Sequence, residues 1–300
     1  MQHQAFAKPG HFFRGNLHTH STVSDGALDP GEVCRRYIEA GYDFICLSDH
    51  FMEVYGYPVT DTIGHRTNRF TTILGAEVHT GKMHNGEIWH ILAVGLPLDF
   101  PATKDNEMPD MLARRCFDAG AYVVIAHPEW NGMTKEDARL IDAAHAVEIY
   151  NHGCHIESDR GYGIAVYDKM LNEGKRMTAC ATDDAHFRGA PDHFGGWVMV
   201  KAQDNEPHAL LEALKAGEYY SSTGPELHEF KIENDRIIIE CSPASNIIAI
   251  GDLTRSRAVH GDGLTWADLS LDRFRSGGWV RVVVQDAAGK RAWSNPIWLD

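Results

Sequence analysis

The chain has 300 residues, 43% of them hydrophobic and 23% charged, a composition that excludes disordered, collagen-like and membrane-embedded classes. That length suits two domains, or one α/β barrel of ~250 residues with an extension, and needs no disulfide staples. The formal net charge of −14 repels DNA backbone and anionic lipid, so neither extended nucleic acid nor a membrane is an expected partner.

Strand and helix signals alternate from the start. Residues 16–20 open the pattern. Residues 30–40 (PGEVCRRYIEA) read as a helix, with Pro30 at its start and Gly41 just past its end. Residues 43–48 (DFICLS), 69–78 and 88–95 (IWHILAVG) read as strands. A helix over 108–119 ends at Gly120, and strands follow over 121–126, 146–150 and 177–182. Residues 160–172 and 207–216 read as helices, the second ending at Gly217. Such alternation predicts parallel strands with crossover helices.

Beyond residue 225 helical periodicity stops. Short β-rich runs at 230–233, 236–241, 247–250, 279–285 and 292–298 are separated by turn residues such as Asn234-Asp235 and Gly261-Asp262-Gly263. This predicts a small all-β module over 226–300, sandwich-like, after a β/α part over 1–225. Residues 226–300 hold 11 acidic and 9 basic residues, so nearly all the excess negative charge lies in the first 225. None of the six cysteines sits in C-x-x-C spacing, which argues against a zinc ribbon and for a reducing compartment. No secretory signal and no membrane-length apolar run is read, so the expected location is cytoplasmic.

Histidine is the outlier, with 18 residues. In a strand, residues i and i+2 share a face, so His18 and His20 of NLHTH present two imidazoles together. Taken alone, that pair reads as two half-buried histidines or as two ligands of one ion. Its context favours ligands. Asp25 lies in Ser24-Asp25-Gly26. Strand ends carry Asp49-His50, Glu77, His127 and Asp183-Asp184-Ala185-His186, and His90 sits between apolar residues of a strand. In a parallel barrel those ends converge on one face. Charges and imidazoles gathered there repel one another unless a cation joins them.

The series His18-x-His20, Asp25, Asp49-His50, Glu77, His90, His127 and Asp184-x-His186 resembles the motif set of the polymerase-and-histidinol-phosphatase (PHP) superfamily of metal-dependent phosphoesterases, over about residues 14–200. The resemblance implies a distorted seven-stranded β/α (TIM-like) barrel and two or three divalent ions. It implies one ion on His18, His20, Glu77 and Asp184, a second on Glu77, His90 and His127, and a third on Asp25, His50 and His186. Glu77, Asp184 and His127 would be central to catalysis. Imidazole and carboxylate ligands suit Zn²⁺, Mn²⁺ or Fe²⁺ without choosing among them. A water shared by two such ions would lose a proton near neutrality and attack phosphorus in line.

Asp49 and Asp183, beside ligands, are expected to orient imidazoles. Glu148 either hydrogen-bonds a ligand or is packed as a polar residue. His79 and His84 read as solvated loop histidines, with substrate contact the alternative. His155 and Arg160, in NHGCHIESDR, are the candidates for gripping substrate phosphate, against a surface salt bridge. Arg66 and Arg69 are weaker candidates of that kind. No P-loop, dinucleotide fingerprint or G-x-S-x-G elbow competes. The expected function is hydrolysis of a phosphoester in a small substrate, a nucleotide or sugar phosphate. A metallo-hydrolase on a C–N bond and a non-catalytic metal-binding scaffold stay open. The sequence sets no oligomeric state.

Overall fold

The computed structural model describes residues 1–299. In chain order the elements are α1 (Gln4–Ala7), β1 (His11–Asn16), α2 (Pro30–Glu39), β2 (Phe44–Leu47), β3 (His50–Phe51), β4 (Thr71–Lys82), β5 (Ile88–Val94), α3 (Pro109–Asp118), β6 (Tyr122–Ile125), α4 (Lys135–Leu140), β7 (Ala146–Asn151), α5 (His152–Ser158), α6 (Ile164–Asn172), β8 (Thr178–Thr182), β9 (Trp197–Ala202), α7 (Pro207–Ala216) and β10 (Tyr219–Ser222). The C-terminal region adds β11 (Leu227–Glu233), β12 (Arg236–Gly251), β13 (Ser256–Ser270), β14 (Trp279–Gln285), β15 (Arg291–Ser294) and β16 (Ile297–Trp298). Local chemistry sets the helix ends. Asp29 caps α2 by accepting from the Gly31 and Glu32 amides, and Pro30 occupies its first turn. Gly217, at φ 73°, closes α7 in the left-handed region.

Two expectations are corrected by the sheet. The strands are not all parallel. β1–β2, β2–β4, β6–β7 and β7–β8 are parallel, whereas β4–β5, β5–β6, β1–β9 and β9–β10 are antiparallel. The link from β4 to β5 is too short for a crossover, so these strands reverse. The TIM-like barrel does not close either. The ladder runs β10-β9-β1-β2-β4-β5-β6-β7-β8, and among the described residues β8 pairs in a ladder with β7 alone. The segments following β1 and β8 meet in a single bridge, Thr19–Ala185. His20 N–H donates to Ala185 O at 2.9 Å and Asp184 N–H to His18 O at 2.8 Å on either side of it.

The C-terminal strands continue the same sheet through β10–β15, where Tyr220 pairs with Ser294 and Ser222 with Ala292. They do not form a sheet of their own. The helix read over 160–172 is α6, which starts at Ile164; an unread helix, α5, precedes it and ends at Asp159, in the left-handed region at φ 55°. The segment read as turns around Gly261–Gly263 lies inside the long edge strand β13.

One buried cluster joins Leu17, Phe44, Cys46, Leu92 and Val124 to Leu210 and Leu214 of α7. Thus α7 covers the end where the parallel strands begin and leaves their C-terminal ends for the site. A second cluster packs α3 and α6 on the outside of β4–β8, with Trp279 and Trp293 of the C-terminal strands in it. A third lies under β11–β14 and takes in Phe6 and Phe12. All six cysteines are buried free thiols, and among the described residues no helix is long and apolar enough to cross a membrane.

One ion pair fastens the C-terminal strands to the helices. Arg281 of β14, only 1% exposed, donates from Nε and Nη2 to both oxygens of Asp168 on α6, each at 3.0 Å. Asp168→Ala would strand a buried guanidinium. We expect a loss of about 3 kcal/mol or more in stability, read by denaturant unfolding, largely restored by adding Arg281→Met.

Candidate metal centre

The site forms where the C-terminal strand ends meet, and Glu77 is its middle. Glu77 lies on β4, fully buried. His50 Nδ1 is 2.6 Å from its Oε2, while His90 Nδ1 and His127 Nε2 are 2.7 and 3.0 Å from its Oε1. His18 Nε2 lies 3.6 Å and His20 Nε2 3.8 Å from Oε2. Asp184, following β8, brings Oδ1 to 3.2 Å from His18 Nε2 and 3.0 Å from His20 Nε2. Asp25 completes the other side, with Oδ1 3.3 Å from both His50 Nε2 and His186 Nε2. β5 runs opposite to its neighbours, so His90 reaches the site from near that strand's start.

The donor set fits divalent ions. Ligand atoms of Glu77, His90 and His127 lie within 4.8 Å of one another, as do those of His18, His20 and Glu77, of His18, His127 and Asp184, and of His20, Asp25, His50 and His186. Two donors on one ion at ~2.1 Å stand at most ~4.2 Å apart, so the separations above suit a shared ion. Several of these atoms are buried without a hydrogen-bond partner: His18 Nε2, His50 Nδ1, Glu77 Oε2 and Asp25 Oδ1. A cation could satisfy such orphaned polar atoms facing one another. Burial opposes the charged forms of Glu77 and Asp184. Surrounding imidazoles, His90 and His50 foremost at Glu77 and His18 at Asp184, nevertheless hold both carboxyls well below the usual range. His50 is likewise disfavoured by burial, yet Glu77 and Asp25 raise it to about 10.

No protein-family model and no curated protein matches the sequence. Among solved structures, a two-domain protein from Bacteroides vulgatus containing a predicted PHP-like metal-dependent phosphoesterase superposes with a TM-score of 0.53, at 17% identity over 93% of each chain. The chain has a PHP-like fold. A Bifidobacterium adolescentis protein, provisionally a metal-dependent phosphoesterase, gives 0.43 at 13% identity, over 59% of this chain and 89% of that one. An amidohydrolase of Chromobacterium violaceum with bound sulfate and no metal gives 0.47 at 16% identity, over 58% and 88%. Likenesses of that size carry nothing about this chain's chemistry.

On this PHP-like frame all nine residues singled out as ligands, His18, His20, Asp25, His50, Glu77, His90, His127, Asp184 and His186, converge. Their partition is less tidy than expected, since His20 also groups with Asp25, His50 and His186. His127 and Asp184 adopt positive φ, 23° and 57°, a conformation costly for such side chains and held by their surroundings. Those surroundings are buried acids and an amide. Glu148 accepts from His18 Nδ1 at 2.7 Å and from the His127 amide at 2.7 Å. The carboxylate is an acceptor, so His18 Nδ1 carries the proton and Nε2 keeps its lone pair for the cluster. Asn151 donates to both Glu148 and Asp184, at 3.1 and 3.0 Å.

Asp49 and Asp183 depart from expectation, for neither touches an imidazole. Asp49 accepts from Ser21 N, Ser21 Oγ, Ser24 Oγ and Thr60 Oγ1 at 2.6–2.8 Å, which fixes the turn that carries Asp25. Asp183 accepts from Tyr37 and from the Phe194, Gly195 and Gly196 amides at 2.7–2.9 Å. Burial still pushes it up to about 6. Glycine is required there, because a Cβ at Gly195 would sit 2.2 Å from the His152 ring.

Asp25, His50, Glu77, His90, His127, Asp184 and His186 line a cavity of about 240 Å³, whose other walls include Trp130, Cys154, Glu157 and Arg188. The residues expected to grip phosphate are not among them. His155 Nδ1 lies 3.4 Å from Asp159 and its ring packs against Tyr150 and Tyr162. Arg160 follows the left-handed turn that ends α5 and is exposed. Arg66 is spent on Thr72. The cation at the mouth is Arg188, whose Nη2 is 3.2 Å from Asp25 Oδ2. His84 does lie at the surface, against Asp137, but His79 is no loop residue. It sits on β4 two residues after Glu77, buried, with Nε2 3.2 Å from His90 Nδ1. Glu77-x-His79 has the same i, i+2 spacing as His18-x-His20, which was the available signal.

Glu148→Gln would turn an amide N–H₂ toward donors now satisfied by a carboxylate and release the His18 tautomer. We expect a 10–100-fold weaker hold on metal, measured by chelator competition, with the secondary structure by circular dichroism unchanged.

Proposed function

We propose that this chain is a metal-dependent hydrolase of phosphoester bonds in a small phosphorylated substrate, a nucleotide or sugar phosphate. The observation that carries the reading is the meeting of nine ligand-type side chains, several with orphaned polar atoms, about one buried carboxylate. The PHP-like fold is consistent with it. On this reading two to three divalent ions, Zn²⁺, Mn²⁺ or Fe²⁺, would be held by His18, His20, Glu77 and Asp184, by Glu77, His90 and His127, and by Asp25, His50 and His186. Bound there, they would supply positive charge and an activated water.

The chain's own residues supply the rest. Glu77 holds neighbouring ligand groups at fixed separation. Asp184 fastens the edge of the site that follows β8 to His18 and His20. His127 presents Nε2 while its amide is tied to Glu148. Arg188 keeps one side of its guanidinium on Asp25 and is 57% exposed, so its other N–H donors are available to a phosphate oxygen. The acidic wall residue Glu157 disfavours a second anionic group beside it. Cys154 Sγ is 3.9 Å from an Asp184 oxygen. Burial, then the Asp184, Glu148 and Glu77 carboxylates, push its thiol up, so it is neutral and no nucleophile.

Elemental analysis of protein purified without chelator should find more than one equivalent of transition metal per chain. Glu77→Gln keeps the shape and removes the central charge. It should lose metal and cut turnover by ~10²-fold or more on a phosphoester panel run beside an amide panel. Near-normal metal and turnover in that variant would defeat the proposal, and activity confined to amides would redirect it. Arg188→Ala should raise KM for a phosphomonoester more than it lowers kcat, as expected when a group grips ground and transition states alike. A KM within twofold of wild type would leave Arg188 a mere partner of Asp25.

A further inference from the structure

We propose that His79 is an additional protein ligand of the cluster, sharing an ion with Glu77 and His90. The inference rests on the metal-centre reading above and deepens it. His79 is 5% exposed and projects from β4 on the same face as Glu77. Its Nε2 lies 3.2 Å from His90 Nδ1 and 3.6 Å from Glu77 Oε2. On a tetrahedral ion with donors at ~2.1 Å, neighbouring donors stand ~3.4 Å apart, so both separations suit a shared ion.

The hydrogen-bond arithmetic favours that ion over a structural contact. His90 Nδ1 faces two acceptors, Glu77 Oε1 at 2.7 Å and His79 Nε2 at 3.2 Å. If it carries a proton, that single proton must serve both. If it does not, the buried carboxylate loses its donor. Putting the proton on His79 Nε2 instead leaves His90 Nδ1 as an acceptor facing a carboxylate. One cation among the three satisfies every lone pair at once. His79 Nδ1 is buried without a partner, a condition it shares with Nδ1 of His20 and His127 in the ligand set.

His50 does not displace His79 from this assignment. The three-residue ligand grouping that contains His79 is His50, Glu77 and His79, yet a neutral imidazole has one lone-pair nitrogen. His50 has Nε2 beside Asp25, where the third ion would sit. Three donors, two of them imidazole, would favour zinc or iron over magnesium at this position.

The test needs no turnover. In crystals of the wild-type protein loaded with Zn²⁺, anomalous differences should place an ion about 2.1 Å from His79 Nε2. Chelator competition on His79→Phe, which fills the ring's space without a donor, and on His79→Gln should release one equivalent at least ~10-fold more readily than wild type. An ion more than about 3 Å from Nε2, outside any coordination distance, would overturn the inference. So would both variants holding every equivalent as wild type does, His79 then merely positioning His90. If the wild-type protein takes up no ion at all, the metal-centre reading falls first and His79 with it.

Discussion

The carboxylate of Glu77 is the group on which the site depends. A fully buried carboxylate costs several kcal/mol in desolvation unless partners repay it. Here the partners are imidazoles from separate segments, His50 at 2.6 Å, His90 at 2.7 Å and His127 at 3.0 Å. Each arrives from a different strand or strand end: His50 is the ladder partner of Glu77 on β3 and His90 lies on the adjacent β5, whereas His127 follows β6. The imidazoles do not behave alike: Glu77 and Asp25 raise His50 to about 10, whereas His20, pressed by burial and then by the charges of His50 and His186, is lowered to about 4.

Around that centre stands a ring of acids that take no part in it. Asp49, Asp183 and Glu148 are each fully buried and each accept several hydrogen bonds, chiefly from backbone amides and hydroxyls. They do different work from the ligand carboxylates, of which Glu77 Oε2 and Asp25 Oδ1 lack donors. Asp49 holds the 21–24 turn so that Asp25 faces His50 and His186. Asp183 ties Tyr37 of α2 and the 194–196 turn to the end of β8. Glu148 couples a ligand side chain, His18, to the strained backbone of a second ligand, His127. Satisfied acids hold the frame and unsatisfied ones hold the charge, and the pattern of partners separates the two.

Much of this was legible from sequence because ligand spacing and strand periodicity coincide. His18-x-His20 places two rings on one face, and the acids at strand ends fall together once the strands are parallel neighbours. Other features were not legible, for identifiable reasons. His79 was lost by ending a strand at Val78 that in fact runs to Lys82. Arg188 lies in the irregular segment after β8, where no periodicity tells inside from outside. Arg160 looked well placed after a strand end, but a left-handed residue, Asp159, takes the chain out of reach, and Asp at that position gives weak warning of it. β9 and β10 carry alternating or mixed patterns in place of apolar runs, so the antiparallel flank of the sheet, and with it the missing closure, could not be read from α/β alternation.

That missing closure bears on the site itself. The β1 and β8 sides of the sheet meet through one bridge, Thr19–Ala185, where a closed barrel would have a ladder. The ligand groups flank that bridge on both sides: His18 and His20 belong to the β1 side, Asp184 and His186 to the β8 side. Side-chain contacts cross the seam where backbone pairing is sparse, Asp184 Oδ1 to His18 and His20 at 3.2 and 3.0 Å. An ion held jointly by His18, His20 and Asp184 would replace several of the missing ladder bonds by coordination, which is both stronger and more localised than a pair of N–H···O bonds. The ligand cluster and the joint that completes the fold are then the same place. A continuous ladder there would have occupied the backbone groups that now position ligands, so the sheet is left open at the point where the chemistry is expected.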